Sequence, residues 1–198
     1  MDILKLAKTR YTTKVYDSSK KIPQDKVEES KQVLQLASNS IDIQVWQFHF
    51  VQNSEIKSQL ADASYINKDK INQADILVVF SYTTDLEAFQ KVVDTYPKGF
   101  QDAYSESKKY MTDDEVRNGM TRQLYLAMGF GLSSAIDLGL DSTPMEGINS
   151  EEYMKILDIK GCQPLIAVAV GNASKVDYNR LEVMPKLRRP IDEVIFTI

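Results

Sequence analysis

Two short, unbroken apolar runs constrain this chain more than any other feature: Ile76-Leu77-Val78-Val79-Phe80, and Leu165 to Val170 closed by Gly171. Both have the length of a strand, and neither alternates with polar residues, so each reads as an interior strand. Phe48-His49-Phe50-Val51 reads as a further strand and Val194-Ile195-Phe196-Thr197-Ile198 as a β-rich C-terminus.

Helical patterns lie between them. Ile3, Leu4, Leu6 and Ala7 suggest a first helix ending near Arg10, and Pro23 fits the first turn of a second, with Val27, Val33, Leu34 and Ala37 turned inward. Ile56 to Ala63, Asn67 to Gln73 and Asp85 to Thr95 give shorter helical segments. Thr112-Asp113-Asp114-Glu115 is a capping box that opens the longest helix, whose inner face runs through Met120, Leu124, Ala127, Met128, Gly131, Leu132 and Ala135 to Gly139. The small residues Ala127, Gly131, Ser134 and Ala135 let a second helix come close, as a dimer seam or as a central core helix. Strands and helices alternate without a repeat or a linker, which predicts an α+β fold in one domain over residues 1–198.

Composition narrows the function. With 28 acidic against 24 basic residues the net charge is −4, so no overall positive field favours nucleic acid. The longest apolar stretches are too short to cross a bilayer and the start at Met1-Asp2 lacks a signal pattern, so a soluble cytoplasmic protein is expected. The lone Cys162 cannot pair within the chain and reads as a small buried side chain. The lone His49, between Phe48 and Phe50 with no nucleophile motif nearby, reads as a satisfied structural imidazole. Gly129-Phe130-Gly131 lies inside a helix, so it is a packing feature rather than a dinucleotide loop, and Asp113 with Asp114 is helix-start charge rather than an acid-base pair. No metal site is indicated.

Four scattered segments carry the chemistry: Arg10-Tyr11-Thr12-Thr13-Lys14, Gln44-Val45-Trp46-Gln47-Phe48, Pro144-Met145-Glu146-Gly147 and Pro185-Lys186-Leu187-Arg188. The first and last bring four cations with hydroxyls between them, suited to a phosphate dianion. In this order, with Asn67 and Lys70, the set resembles the FMN-dependent nitroreductase family, in particular its oxygen-insensitive NAD(P)H nitroreductase and dihydropteridine reductase type.

The resemblance implies a central, mostly antiparallel sheet flanked by helices, a homodimer with FMN near its interface, and a C-terminal strand exchanged between subunits. It makes Arg10, Lys186 and Arg188, with Thr12, the phosphate grip. Lys14 and Lys70, with Asn67, become contacts to the pyrimidine edge, where positive charge stabilises the reduced ring. Pro144, Met145, Glu146 and Gly147 are cofactor-binding, and Glu146 and Gly147 resemble the residues whose loop lies against the ring, where a backbone N–H orients the atom that takes up hydride. Ser40, Asp42 and Gln44 are polar contacts to the ring. Here the chain departs from the family's Pro-Ser-(Ser/Ala)-x-Asn-x-Gln-Pro-Trp: Asp42 replaces an amide, and Tyr11 stands where His or Ser is usual, adding an aromatic wall. Trp46 is a core aromatic, a pocket wall, or both. The aromatic stretch from Tyr96 to Tyr110 is either a lid or a helical excursion packed on the core.

The expected activity is hydride transfer from NADH or NADPH through FMN to a small planar acceptor, a nitroaromatic, quinone or pteridine, by a ping-pong course without a protein nucleophile. The alternatives are an FMN-binding sensor or carrier with little turnover, or an interaction domain without a cofactor.

Overall fold

The computed structural model describes residues 2–198; Met1, which the expected domain and its N-terminal reading include, lies outside the described residues. Strands β1 (Trp46–Val51), β2 (Ile76–Thr83), β3 (Asp141–Met145) and β4 (Cys162–Gly171) form one sheet in the order β1-β2-β4-β3, with every pairing antiparallel. Side chains alternate between the faces of a strand, and in β2 both sets are apolar. Ile76, Val78 and Phe80 join one core with Ile166 and Val168, whereas Leu77 and Val79 join another with Ala167 and Ala169.

Helices α2 (Gln24–Gln35), α5 (Leu86–Val93), α6 (Lys98–Lys108) and α7 (Asp113–Asp137) cover the first face through Val27, Leu34, Phe89, Tyr104 and Leu124. On the second face α3 (Ser54–Asp62), α4 (Lys68–Gln73) and α8 (Ser150–Ile156) contribute Leu60, Ile71 and Tyr153. Cover on both sides is why the central strands read as unbroken apolar runs. Leu77 and Val79 are fully buried, and side chains of this kind each contribute about 1.5–3 kcal/mol. Between Phe80 and Ser81 the partner steps from Ile166 to Pro164, leaving Leu165 as an extra residue that bends β4.

The capping box forms as expected. Thr112 Oγ1 accepts from the Glu115 N–H at 3.3 Å, and the Glu115 carboxylate accepts from the Thr112 N–H at 2.8 Å. Helix α7 ends in a Schellman turn, with Gly139 at φ 71°, its N–H on the Ile136 carbonyl and the Leu140 N–H on Ala135. A Cβ at Gly131 would meet Leu34 Cδ2 at 2.9 Å. The small-residue face of α7 therefore seats α2 of the same chain, which decides for a core helix at that face.

Within one chain Val194–Ile198 pairs with no strand and its side chains are exposed, which leaves the expected exchange to a second copy. Pro144 and Met145 end β3, which Asp141-Ser142-Thr143 hides from pattern reading by lacking apolar alternation, and Glu146 and Gly147 follow it as loop. The expectation of a satisfied imidazole at His49 is corrected: the residue is half-buried with Nδ1 left without a partner, and burial lowers its pKa. Cys162 is buried and free. Among the described residues no helix is long and apolar enough to cross a membrane, and no cluster of His, Cys, Asp or Glu could hold a metal ion.

Candidate functional site

Helix α1 (Ile3–Thr9) ends where Arg10 caps it, its N–H on the Leu6 carbonyl at 2.9 Å. The chain then runs extended beside β3, with Thr12 bridging Ser142. A polar segment from the far end of the sequence holds it there. Asp177, only 2% exposed, receives the Lys14 N–H at 3.3 Å, and Asn179 Nδ2 donates to the Thr12 carbonyl at 2.6 Å. Arg180 in turn donates to the Ser174 carbonyl at 2.8 Å, closing that segment on itself. A carboxylate aimed at a backbone N–H fixes conformation without cancelling the neighbouring lysine's charge.

This clamp leaves a group of cations facing one another. Burial and the nearby Arg188 both lower the pKa of Arg10; burial, Arg10 and Arg188 lower that of Lys186. Lys186 Nζ donates to the Ala7 carbonyl at the end of α1. Arg10 Nη1 is buried with no hydrogen-bond partner, and none of the three has an ion-pair partner among the described residues. Like charges held together with an unfilled donor make an anion site, since an anion would relieve both costs.

A second cationic pair joins Lys70 to Lys14 across the sequence. Lys70 has its pKa lowered by burial and then by Lys14. Its ammonium donates to Asn67 Oδ1 at 3.0 Å, and Asn67 Nδ2 donates to the Gly147 carbonyl at 3.0 Å. Asn67 is buried at the start of α4 but gives no side-chain cap, because its amide is committed to these two contacts. Glu146 is held from the other side by the Tyr125 hydroxyl of α7 at 2.7 Å. Beside this turn lies a cavity of about 300 Å³ lined by Met128, Pro144, Met145, Glu146 and Ile166.

The structure therefore joins Arg10 with Lys186 and Arg188, and Lys14 and Lys70 with Asn67 and Gly147. It does not bring Ser40, Asp42 or Gln44 to them. Those residues lead into β1 at one edge of the sheet, while Pro144 and Met145 lie in β3 at the other, three strand spacings or about 14 Å away. Their loop is strained: Ile41, Asp42 and Gln44 hold φ of 61°, 54° and 47°, a region that a β-branched residue such as Ile41 rarely enters. Two contacts keep it there, Ser40 N–H on Gln123 Oε1 and Gln44 N–H on Asn39 Oδ1, both at 2.9 Å.

Other expected residues take different positions. Met145 is buried in the core under the sheet, so only its backbone is free for a ligand. The Tyr11 hydroxyl is buried without a partner. Trp46 is a core aromatic, 8% exposed and 5.5 Å from the Phe48 ring. In the 96–110 region Tyr104 is packed edge-on against Phe89 at 5.8 Å, whereas Tyr110 is 84% exposed. Sequence patterns do not single out Asp177, Asn179 or Tyr125. The polar run Asp177-Tyr178-Asn179-Arg180 after the β4 strand was the one signal available, since a strand end of this kind favours functional loops.

Known proteins resemble this chain over nearly its whole length. The chain is 29% identical over 220 residues to the oxygen-insensitive NAD(P)H nitroreductase of Salmonella typhimurium, covering 98% of this chain and 99% of that one. It is 31% identical over 207 residues to the major NAD(P)H-flavin oxidoreductase of Aliivibrio fischeri, covering 94% of each. Among solved structures, a nitroreductase family protein of Streptococcus pneumoniae superposes with a TM-score of 0.83 at 20% identity over 100% of both chains. A protein of Exiguobacterium sibiricum solved in complex with FMN gives 0.83 at 18% identity, over 100% of this chain and 98% of that one. The nitroreductase family profile itself matches residues 7–172, and the chain belongs to that family.

Proposed function

We propose that the protein is an FMN-dependent NAD(P)H oxidoreductase of the nitroreductase type, built as one flavin-binding domain over residues 1–198. The observation that carries this reading is the buried, unpartnered Nη1 of half-buried Arg10 beside Lys186 and Arg188, none of the three having an ion-pair partner among the described residues. That donor set fits the phosphate of FMN.

Bound FMN supplies hydride-accepting chemistry that no side chain offers. Arg10, Lys186 and Arg188, with Thr12, hold its phosphate. Lys14 and Lys70, the latter oriented by Asn67, place positive charge at the pyrimidine edge and so stabilise negative charge gathered there. The Glu146–Gly147 turn presents backbone rather than a carboxylate base. Bound FMN would hold the two electrons between donor and acceptor, which would then use one face in turn; the expected kinetics are ping-pong, with no protein nucleophile. NADH or NADPH is the donor; a nitroaromatic, quinone or pteridine is the acceptor.

The distance between the β1 and β3 edges gives a reason for a homodimer. Ser40, Asp42 and Gln44 of a second copy would complete the site that Arg10 and Gly147 begin, and the exposed Val194–Ile198 segment would pair with that copy's sheet. The soluble, cytoplasmic setting belongs to the same reading.

Its test is the visible spectrum of the purified protein before and after anaerobic NADH or NADPH. A yellow protein that bleaches supports the enzyme. One that stays yellow points to a sensor or carrier, the outcome favoured if the exposed Asp42 carboxylate disfavours the reduced ring. A colourless protein that takes up no added FMN overturns the reading.

A further inference from the structure

The Glu146–Gly147 turn is tied at each residue to a different element. The Gly147 carbonyl is held by Asn67 at 3.0 Å, and the Ile148 N–H folds back on the Glu146 carbonyl at 2.8 Å. Glu146 Oε1 accepts from the Tyr125 hydroxyl at 2.7 Å, a contact spanning 21 positions of sequence. Tyr125 sits on a rigid base, because its neighbours Leu124 and Ala127 are fully buried in the α7 core. Glu146, by contrast, follows the last residue of β3, and its carboxylate has no other hydrogen-bond or ion-pair partner among the described residues. The phenol is therefore what decides where that negative charge lies. Burial, and then the carboxylate, raise the pKa of the phenol, which keeps it a donor throughout the neutral range.

We propose that Tyr125 is a positioning residue for the flavin site: its phenol draws the Glu146 carboxylate onto α7, which sets the backbone of the Glu146–Gly147 turn and keeps the carboxylate off the flavin ring. This rests on the FMN reading above. A carboxylate freed from α7 would swing through the space in front of the turn, and negative charge there opposes charge gained on reduction. Oxidised flavin is neutral and feels this little. The contact therefore acts on the reduced form in preference to the oxidised one.

The test compares wild type, Tyr125→Phe and Tyr125→Phe/Glu146→Gln. Hydrogen exchange on the cofactor-free proteins reads the turn itself: Tyr125→Phe exchanges faster over residues 145–148 and nowhere else. On the FMN-loaded proteins, the affinity for oxidised FMN stays within about twofold, while preference for the reduced form falls about tenfold, or ~30 mV for two electrons. Replacing Glu146 by Gln in the Phe variant restores the potential, which a merely structural contact would not do. Unchanged exchange, or an unchanged potential, overturns the proposal. If wild type takes up no FMN, the functional reading itself fails, and faster exchange in Tyr125→Phe then reduces the contact to a structural one.

Discussion

The Asn67 amide donates to the Gly147 carbonyl at 3.0 Å, and a Cβ on Gly147 would lie 2.9 Å from that same nitrogen. Glycine at 147 is thus required by a neighbour rather than by backbone conformation. Gly147→Ala pushes the Asn67 side chain aside and with it the oxygen that Lys70 uses. Because the displaced atom ends a flexible side chain, stability falls by only about 1 kcal/mol. Affinity for FMN falls more, about tenfold, since Lys70 loses its orientation. Thermal unfolding of the cofactor-free protein and a fluorescence titration with FMN separate the two effects, and equal losses in both would count against a role for this contact in binding.

Arg10→Gln removes a cation that has no ion-pair partner among the described residues. Loss of charge-assisted hydrogen bonds to the phosphate weakens FMN binding by about 1.5–3 kcal/mol. The cofactor-free protein does not suffer in parallel, since repulsion with Arg188 and Lys186 is relieved, and its stability stays within about 0.5 kcal/mol. Binding measured beside thermal melts gives the answer; a variant that binds FMN as wild type does would remove Arg10 from the phosphate site.

Lys14→Met takes away one of the two cations proposed to lie at the flavin's pyrimidine edge. The reduced form loses stabilisation, so the midpoint potential drops by ~30 mV for each tenfold of lost preference, and reduction by NADPH slows. The remaining Lys70 gains a higher pKa once Lys14 no longer opposes its charge. Potentiometric titration checks the first statement, and an unaltered potential would falsify the position given to Lys14.

Tyr153 is fully buried, and its phenol is pushed up to about 12 by burial, partly offset by its hydrogen bond to Ser64. The unfolded chain releases this proton from about pH 10. The folded state therefore keeps a proton that the unfolded state has lost, so stability is whole below about pH 10 and falls as the pH rises toward 12, by roughly 2–3 kcal/mol. Buried Tyr16, also raised, acts in the same direction. Denaturant melts between pH 9 and 12 should show a shallower decline in Tyr153→Phe than in wild type.

The elements most readable in the sequence were those whose own residues determine them. Unbroken apolar runs marked β2 and β4, and Thr112 with Glu115 marked the start of α7, because packing on both sheet faces and a local cap leave direct traces. β3 left none: it is an edge strand whose inward Ser142 and Thr143 are polar, with Pro144 within it. Helix α8 is short and capped by Asn149, with only Tyr153 fully inward. The Val194–Ile198 segment has the composition of a strand, but composition does not provide an edge. At the site, the family's motifs pointed to Arg10, Lys186 and Arg188, which the structure brings together, and to Ser40, Asp42 and Gln44, which it leaves at the other sheet edge; Asp177 and Tyr125 left no pattern, since each acts across a long stretch of sequence. The left-handed turns at Ile41, Asp42 and Gln44 were hidden for the opposite reason, as none is a glycine.

The clamp of Asp177 and Asn179 on Lys14 and Thr12 sets an order of assembly. Arg10 and Lys14 precede the core strands in sequence, whereas Asp177, Lys186 and Arg188 follow β4. The sheet core is built from residues that lie between the two groups, so the cationic cluster is the part of the fold that joins the segments on either side of it. On the FMN reading, the phosphate grip would therefore form only once both flanking segments have docked on a closed core.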